Sequence, residues 1–146
     1  MSRHKVESLI PHRPPFLWVD RIVDAEEGRI VTEKLIPADL PLFAGHYPGR
    51  PIFPGVLLCE AMFQSGALLM AGRQEGIDAP PGLPLVTRIL GAKFKRPVGP
   101  GDLLCMTVTL TERMSAAYTF HGVAKVGGKT VATVDFICML HKASDP

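Results

Sequence analysis

The sequence of 146 residues has no excess of either charge, since sixteen Lys and Arg face fourteen Asp and Glu for a formal +2. That balance leaves no basic footprint of the kind a dedicated nucleic-acid binder needs. There is no CxxC pair, and Cys59, Cys105 and Cys138 stand far apart among apolar neighbours. A structural zinc site and a disulfide framework are argued against, and buried thiols of a reducing compartment are expected. His12, His121 and His141 lack metal-ligand spacing and read as structural, so no metal is expected. No phosphate-binding glycine loop or dinucleotide fingerprint occurs, and no cofactor is expected. The opening Met1 to Phe16 has no apolar core and is broken by Pro11, Pro14 and Pro15, unlike a secretory signal. The longest apolar run, Gly55 to Ala71, contains Glu60, Gln64 and Ser65 and falls short of the about 20 residues of a membrane span. A soluble, cytoplasmic protein without a membrane partner follows. There is also no internal repeat and no linker, so residues 1–146 read as one domain of ordinary size.

What is present is globular material, with 47% hydrophobic and 21% charged residues. Glycine and proline concentrate in three loops, near residues 37–55, 72–84 and 97–101. Phe16–Val23 and Arg29–Ile36 read as strands joined by a turn at Glu26-Glu27-Gly28. Leu85–Phe94, Leu103–Thr111, Ala117–Val126 and Thr130–Leu140 are rich in β-branched residues and alternate in polarity. Gly127-Gly128 marks a tight hairpin. About six strands are expected, paired as antiparallel neighbours along the chain. One segment breaks the pattern: 12 of the 17 residues from Gly55 to Ala71 are apolar, without alternation. Pro54 at its start and Gly72 just past its end bracket a helix about 25 Å long. A helix apolar on nearly every face must be buried on nearly every face. An α+β fold follows, in which an antiparallel sheet curls around one central helix.

Chemistry concentrates at the start of that helix. Gly45 to Gly55 holds three prolines and three glycines, which fix the loop in a low-entropy shape. His46 stands at the loop entrance and is able to exchange a proton near neutral pH. Glu60 is the one charged residue within the apolar run, about a turn and a half inside the helix. The amides of Gly55 and Val56 at the helix start are suited to hold a developing oxyanion. A base, an acid and an anion hole are the parts needed to remove a proton next to a carbonyl. Bland readings stand beside this one: a surface histidine, and a glutamate on a solvated seam or paired with Arg50 or Arg73. Lys93, Lys95 and Arg96 form a basic cluster that suits either an acidic partner or a solvated strand edge.

The stretch Gly45-His-Tyr-Pro-Gly-Arg-Pro-Ile-Phe-Pro-Gly-Val-Leu-Leu-Cys-Glu-Ala-Met-Phe-Gln64 resembles the signature of the (3R)-hydroxyacyl-[acyl-carrier-protein] dehydratases of type II fatty-acid synthesis. Ile10 to Arg21 is similar to that family's opening strand, and Phe94 to Leu103 to its return strand and turn. The resemblance implies a hot-dog fold, a catalytic role for His46 and Glu60, and a Gly55 amide that polarises the thioester carbonyl. It implies elimination of water from a (3R)-3-hydroxyacyl thioester to give the trans-2-enoyl thioester, without a cofactor. It also implies acyl carrier protein as partner, for which the Lys93, Lys95 and Arg96 cluster is a candidate docking point on its charge, and a homodimer or trimer of dimers that pairs His of one subunit with Glu of the other. Glutamate at position 60 favours the simple dehydratase branch over the isomerase branch, where aspartate is usual. Two departures stand out: Phe63 occupies a place where a small residue is common, and Arg88 to Phe94 differs from the usual approach to the basic residues. Rival readings on the same fold are an acyl thioesterase and a non-catalytic acyl-binding protein.

Overall fold

Two of the hairpin reversals fall on glycines in the left-handed region that favours them, and a third turns at Ser115 with φ 55°. Gly28 has φ 79°, and Gly127 and Gly128 have φ 58° and 79°, which is the geometry of a tight hairpin turn. The computed structural model describes residues 3–74 and 82–141. In chain order they form helix α1 (Arg3–Leu9), strands β1 (Arg21–Glu26) and β2 (Arg29–Leu35), and a 3₁₀ turn (Pro41–Ala44). Helix α2 (Gly55–Gln74) follows, then β3 (Leu83–Phe94), β4 (Leu103–Met114), β5 (Ala117–Val126) and β6 (Lys129–His141). The six strands form one antiparallel sheet in the order β1-β2-β4-β5-β6-β3. The sheet packs around α2, as the apolar run requires.

Four expectations need correction. Sequential pairing fails at β3, which lies beside β6 at the far edge because the long α2 carries the chain across the sheet. Phe16 to Asp20 is chain outside the sheet strands, buried at Leu17 to Val19, rather than the start of β1, because the Trp18 N–H bonds the Gln64 side chain instead of a strand. Gly72 does not end α2, which runs on to Gln74; a glycine inside a helix is tolerated at a cost of about 1 kcal/mol. With 20 residues, α2 is long enough to span a membrane, but most of its apolar window is buried under the sheet. The helix α1, which buries Val6, is an element that the proline-broken opening did not suggest.

The core lies between α2 and the concave face of the sheet. Strand alternation turns Ile30, Met106, Val108, Phe120, Val134 and Phe136 inward, each fully or almost fully buried. Helix and sheet meet closely at Gly122, where an added Cβ would stand 2.9 Å from the Met62 sulfur. The buried hydroxyls are paired: Thr32 and Ser65 share a hydrogen bond of 2.7 Å, and Ser65 also donates to the Ala61 carbonyl. This packing fixes the rotation of α2 about its axis, and with it the direction in which Glu60 points.

Candidate active site

The loop before α2 locks the ring of His46. Its Nδ1 lies 2.7 Å from the carbonyl oxygen of Ile52. A carbonyl only accepts, so Nδ1 carries the proton and donates it, which leaves the lone pair of a neutral ring on Nε2. Tyr47, held in a left-handed conformation at φ 58°, packs its ring edge-on against His46 with centroids 4.6 Å apart. The loop then joins the body of the fold through the Phe53 N–H, which donates to Val98 O.

The first turn of α2 leaves two amides open. Leu57 and Leu58 N–H donate to the Pro54 carbonyl, and no hydrogen bond from the Gly55 or Val56 N–H occurs among the described residues. Gly55 has a packing reason to be glycine: an added Cβ would meet the Phe94 ring at 2.9 Å. Phe94 is itself half exposed, so the ring covers the helix start from the end of β3. Lys93, Lys95 and Arg96 flank this ring, are exposed, and have no ion pair among the described residues.

Glu60 sits in a polar pocket of the otherwise apolar helix. Gln64, one turn on and fully buried, donates from Nε2 to Glu60 Oε2 at 3.1 Å and to Phe16 O at 3.0 Å. Its Oε1 accepts from the Trp18 N–H at 2.8 Å. The amide therefore ties the carboxyl to the extended segment before β1. Burial pushes the Glu60 carboxyl above the usual range, and the Gln64 hydrogen bond opposes part of that rise. His12 Nε2 lies 3.9 Å away, too far for a hydrogen bond, and burial keeps its ring below the usual histidine value. Both groups line a cavity of about 340 Å³ whose other walls are apolar. The pairing of Glu60 with Arg50 does not occur, and the side chain of Arg73 lies outside the described residues.

Within one chain, no hydrogen bond or ion pair joins His46 to Glu60, and His46 does not line the cavity that Glu60 enters. Either residue faces its own surroundings, with the open amides of α2 between them in sequence.

Residues 10–135 match the model of the FabA-like domain. The chain belongs to this family. Among curated proteins it is 44% identical over 144 residues to a 3-hydroxyacyl-[acyl-carrier-protein] dehydratase FabZ of Anaeromyxobacter sp., covering 96% of this chain and 90% of the relative. A FabZ of Paracidovorax citrulli is 42% identical over 144 residues, covering 96% and 97%. Among solved structures, the dehydratase heterocomplex ApeI:P from Xenorhabdus doucetiae superposes with a TM-score of 0.82 at 15% identity, covering 95% and 92%. The PaaI protein of E. coli gives 0.65 at 16% identity, covering 81% and 80%. At such low identities the structures speak for the hot-dog fold alone, which is the α+β arrangement expected of the chain.

Three residues around Glu60 and the start of α2 come together only in the fold. Gln64 left a signal, as a polar residue at i+4 from Glu60 on an apolar helix. His12 and Phe94 left none, because a loop before β1 and the end of β3 reach α2 only through the fold.

Proposed function

We propose that the protein is a 3-hydroxyacyl-[acyl-carrier-protein] dehydratase of fatty-acid biosynthesis in which His46 is the base and Glu60 the acid. His46 Nε2 takes a proton from C2 of the (3R)-3-hydroxyacyl thioester. The electron pair moves toward the thioester carbonyl, whose oxygen is held by the Gly55 and Val56 amides. It then returns to form the C2–C3 double bond as the C3–O bond breaks. The hydroxide leaves with the Glu60 proton as water, and the proton on His46 passes back to Glu60 to close the cycle. The products are one trans-2-enoyl thioester and one water, and no electron acceptor is required.

The observation that carries this reading is the opposite preparation of two side chains. The Ile52 carbonyl leaves His46 with a free Nε2 lone pair, while burial holds Glu60 toward its protonated form. A ring with an open lone pair and a carboxyl held toward its protonated form suit a base and an acid. The identity to curated FabZ proteins over nearly the whole chain supports the same reaction.

Because the two groups do not meet within a chain, the reading includes a homodimer in which His46 of one copy faces Glu60 of the other. The exposed apolar residues of β3 supply the surface for it. The exposed Lys93, Lys95 and Arg96 beside the helix start suit an acidic carrier protein that delivers its phosphopantetheine arm there, in the cytoplasm. The direct test is incubation with 3-hydroxyacyl carrier proteins, followed by mass spectrometry. Loss of water is expected; release of free carrier thiol instead indicates a thioesterase, and an unchanged substrate indicates a binding protein.

A further inference from the structure

The cavity that begins at Glu60 and His12 is apolar along the rest of its length. Glu60, Phe63 and Ala67 follow one another at i, i+3 and i+7 and so lie along one face of α2. Leu85, Val86 and Ile89 of β3 form the facing wall, with Cys138 of β6 between. The thiol of Cys138 is pushed up to about 12 by burial and by Glu60, so it adds no charge to the wall. One end of the space therefore suits a hydroxyl and the remainder suits hydrocarbon.

Phe63 is the largest side chain on the helix side of this space, and it has little freedom to withdraw. Its ring meets Phe136 edge-on with centroids 4.7 Å apart, and Phe136 is fully buried and stacked on Phe120 at 5.2 Å. Behind Phe136 the helix is glycine at position 66, where an added Cβ would stand 3.1 Å from the ring. The aromatic stack thus has α2 on one side and the sheet on the other. A ring held so firmly shapes a cavity rather than yielding to its contents.

We propose that Phe63 sets the acyl-chain length of the substrate by narrowing this cavity between Glu60 and Ala67. The inference rests on the reading of Glu60 as the group that meets the C3 hydroxyl, since that places the tail toward Phe63 and Ala67. Each methylene that gains burial is worth roughly fourfold in binding, so room for a few more methylenes beside Phe63 alters selectivity by more than tenfold.

The test compares kcat/KM for 3-hydroxyacyl carrier proteins of four, eight, twelve and sixteen carbons in the unmodified protein, Phe63→Ala and Phe63→Leu. The ratio of long-chain to short-chain kcat/KM is expected to rise by about tenfold or more in Phe63→Ala, with Phe63→Leu between. Ala67→Leu gives the opposite arm, because it fills the cavity and lowers the ratio, and it stands alone if Phe63→Ala does not fold. Variants that lower every length by one common factor overturn the proposal, since a merely structural role has that effect. An unmodified protein that is active, with length ratios indifferent to these variants, overturns the role of Phe63 and spares the proposed reaction. Absence of turnover at every length overturns both.

Discussion

The two edges of the sheet are built on opposite plans. The edge at β1 is short and charged: Arg21 pairs with Glu33, and Arg29 lies 3.7 Å from Asp24 and 3.4 Å from Glu26. Helix α1 also packs against it. These are the devices by which a sheet edge avoids adding another strand. The edge at β3 runs for twelve residues and exposes Leu83, Leu85, Ile89, Leu90 and Phe94, with Ile89 at 56%. Two bulges, between Val86 and Arg88 and between Ile89 and Gly91, bend it, but they remove none of this apolar surface. An apolar edge of this length suits the proposed homodimer, and the charged edge at β1 does not. The groups of the candidate site follow the same division. Glu60 is tethered through Gln64 to the segment that leads into β1, whereas the helix start is covered by Phe94 from β3.

The largest expected effect tests whether the open edge brings two half-sites together. His46→Ala and Glu60→Gln are each expected to lower kcat by about 10²–10⁴, the usual contribution of a positioned acid or base. Mixing the two inactive proteins under subunit exchange then makes heterodimers with one doubly damaged site and one intact site. Half the activity per heterodimer should return by this count. If hetero-oligomers form and stay inactive, the site is not shared between copies.

The next effect sets the two edges against each other. Leu90→Lys places a charge on the exposed face of β3, and Val23→Lys places the same charge on β1, where Val23 is 44% exposed. Sedimentation equilibrium at micromolar concentration should show Leu90→Lys largely monomeric, with activity falling in step with the dimer fraction. Val23→Lys should change neither. Equal behaviour of the two variants would abolish the distinction between the edges.

This asymmetry was only partly legible in the sequence. Alternation and paired glycines placed the hairpins, because side-chain period and turn conformation are local properties. The bare apolar run placed α2, since nothing but burial accommodates it. The position of β3 was not legible: Leu83 to Phe94 carries the apolar residues of a core strand, and only the crossover by α2 makes it an edge. His46, Gly55 and Glu60 were found because they are close in sequence and chemically unusual. Their relation in space was not, because a 14-residue separation says nothing of which way a locked loop turns. Gly55 in particular has an internal reason to lack a Cβ, the Phe94 ring, besides any approach of a substrate.

A smaller effect concerns the tether on the guarded side. Gln64→Leu leaves the Trp18 N–H and the Phe16 carbonyl without their partner, at about 1–3 kcal/mol for each group that stays buried. Denaturant titration should show that loss. Removal of the amide also removes the hydrogen bond that favours the Glu60 carboxylate, so its pKa should rise further. An acid that holds its proton longer keeps the enzyme working to higher pH, and the alkaline limb of the kcat profile should move upward. A destabilised variant with an unmoved limb would reduce Gln64 to packing.

The smallest effect is the stability that Glu60 itself withholds. Burial raises its carboxyl above the ordinary value of 4.5, so the unfolded chain gives up this proton at lower pH than the folded one. Between the two values the folded state binds more protons, and stability falls as pH rises. Below 4.5 both states are protonated and Glu60 adds no pH dependence; above the folded value both are ionised and the loss levels off. Glu60→Gln has no such proton, and its amide oxygen still accepts from Gln64. The variant should therefore match the unmodified protein in acid and become the more stable of the two as pH rises toward neutrality. The difference between the two denaturation midpoints, followed over this range, isolates Glu60 from every other titrating group. A variant that is less stable at neutral pH and gains on acidification would mean that the carboxylate is favoured where it stands, and Glu60 would then be unsuited to give up a proton to a leaving hydroxyl.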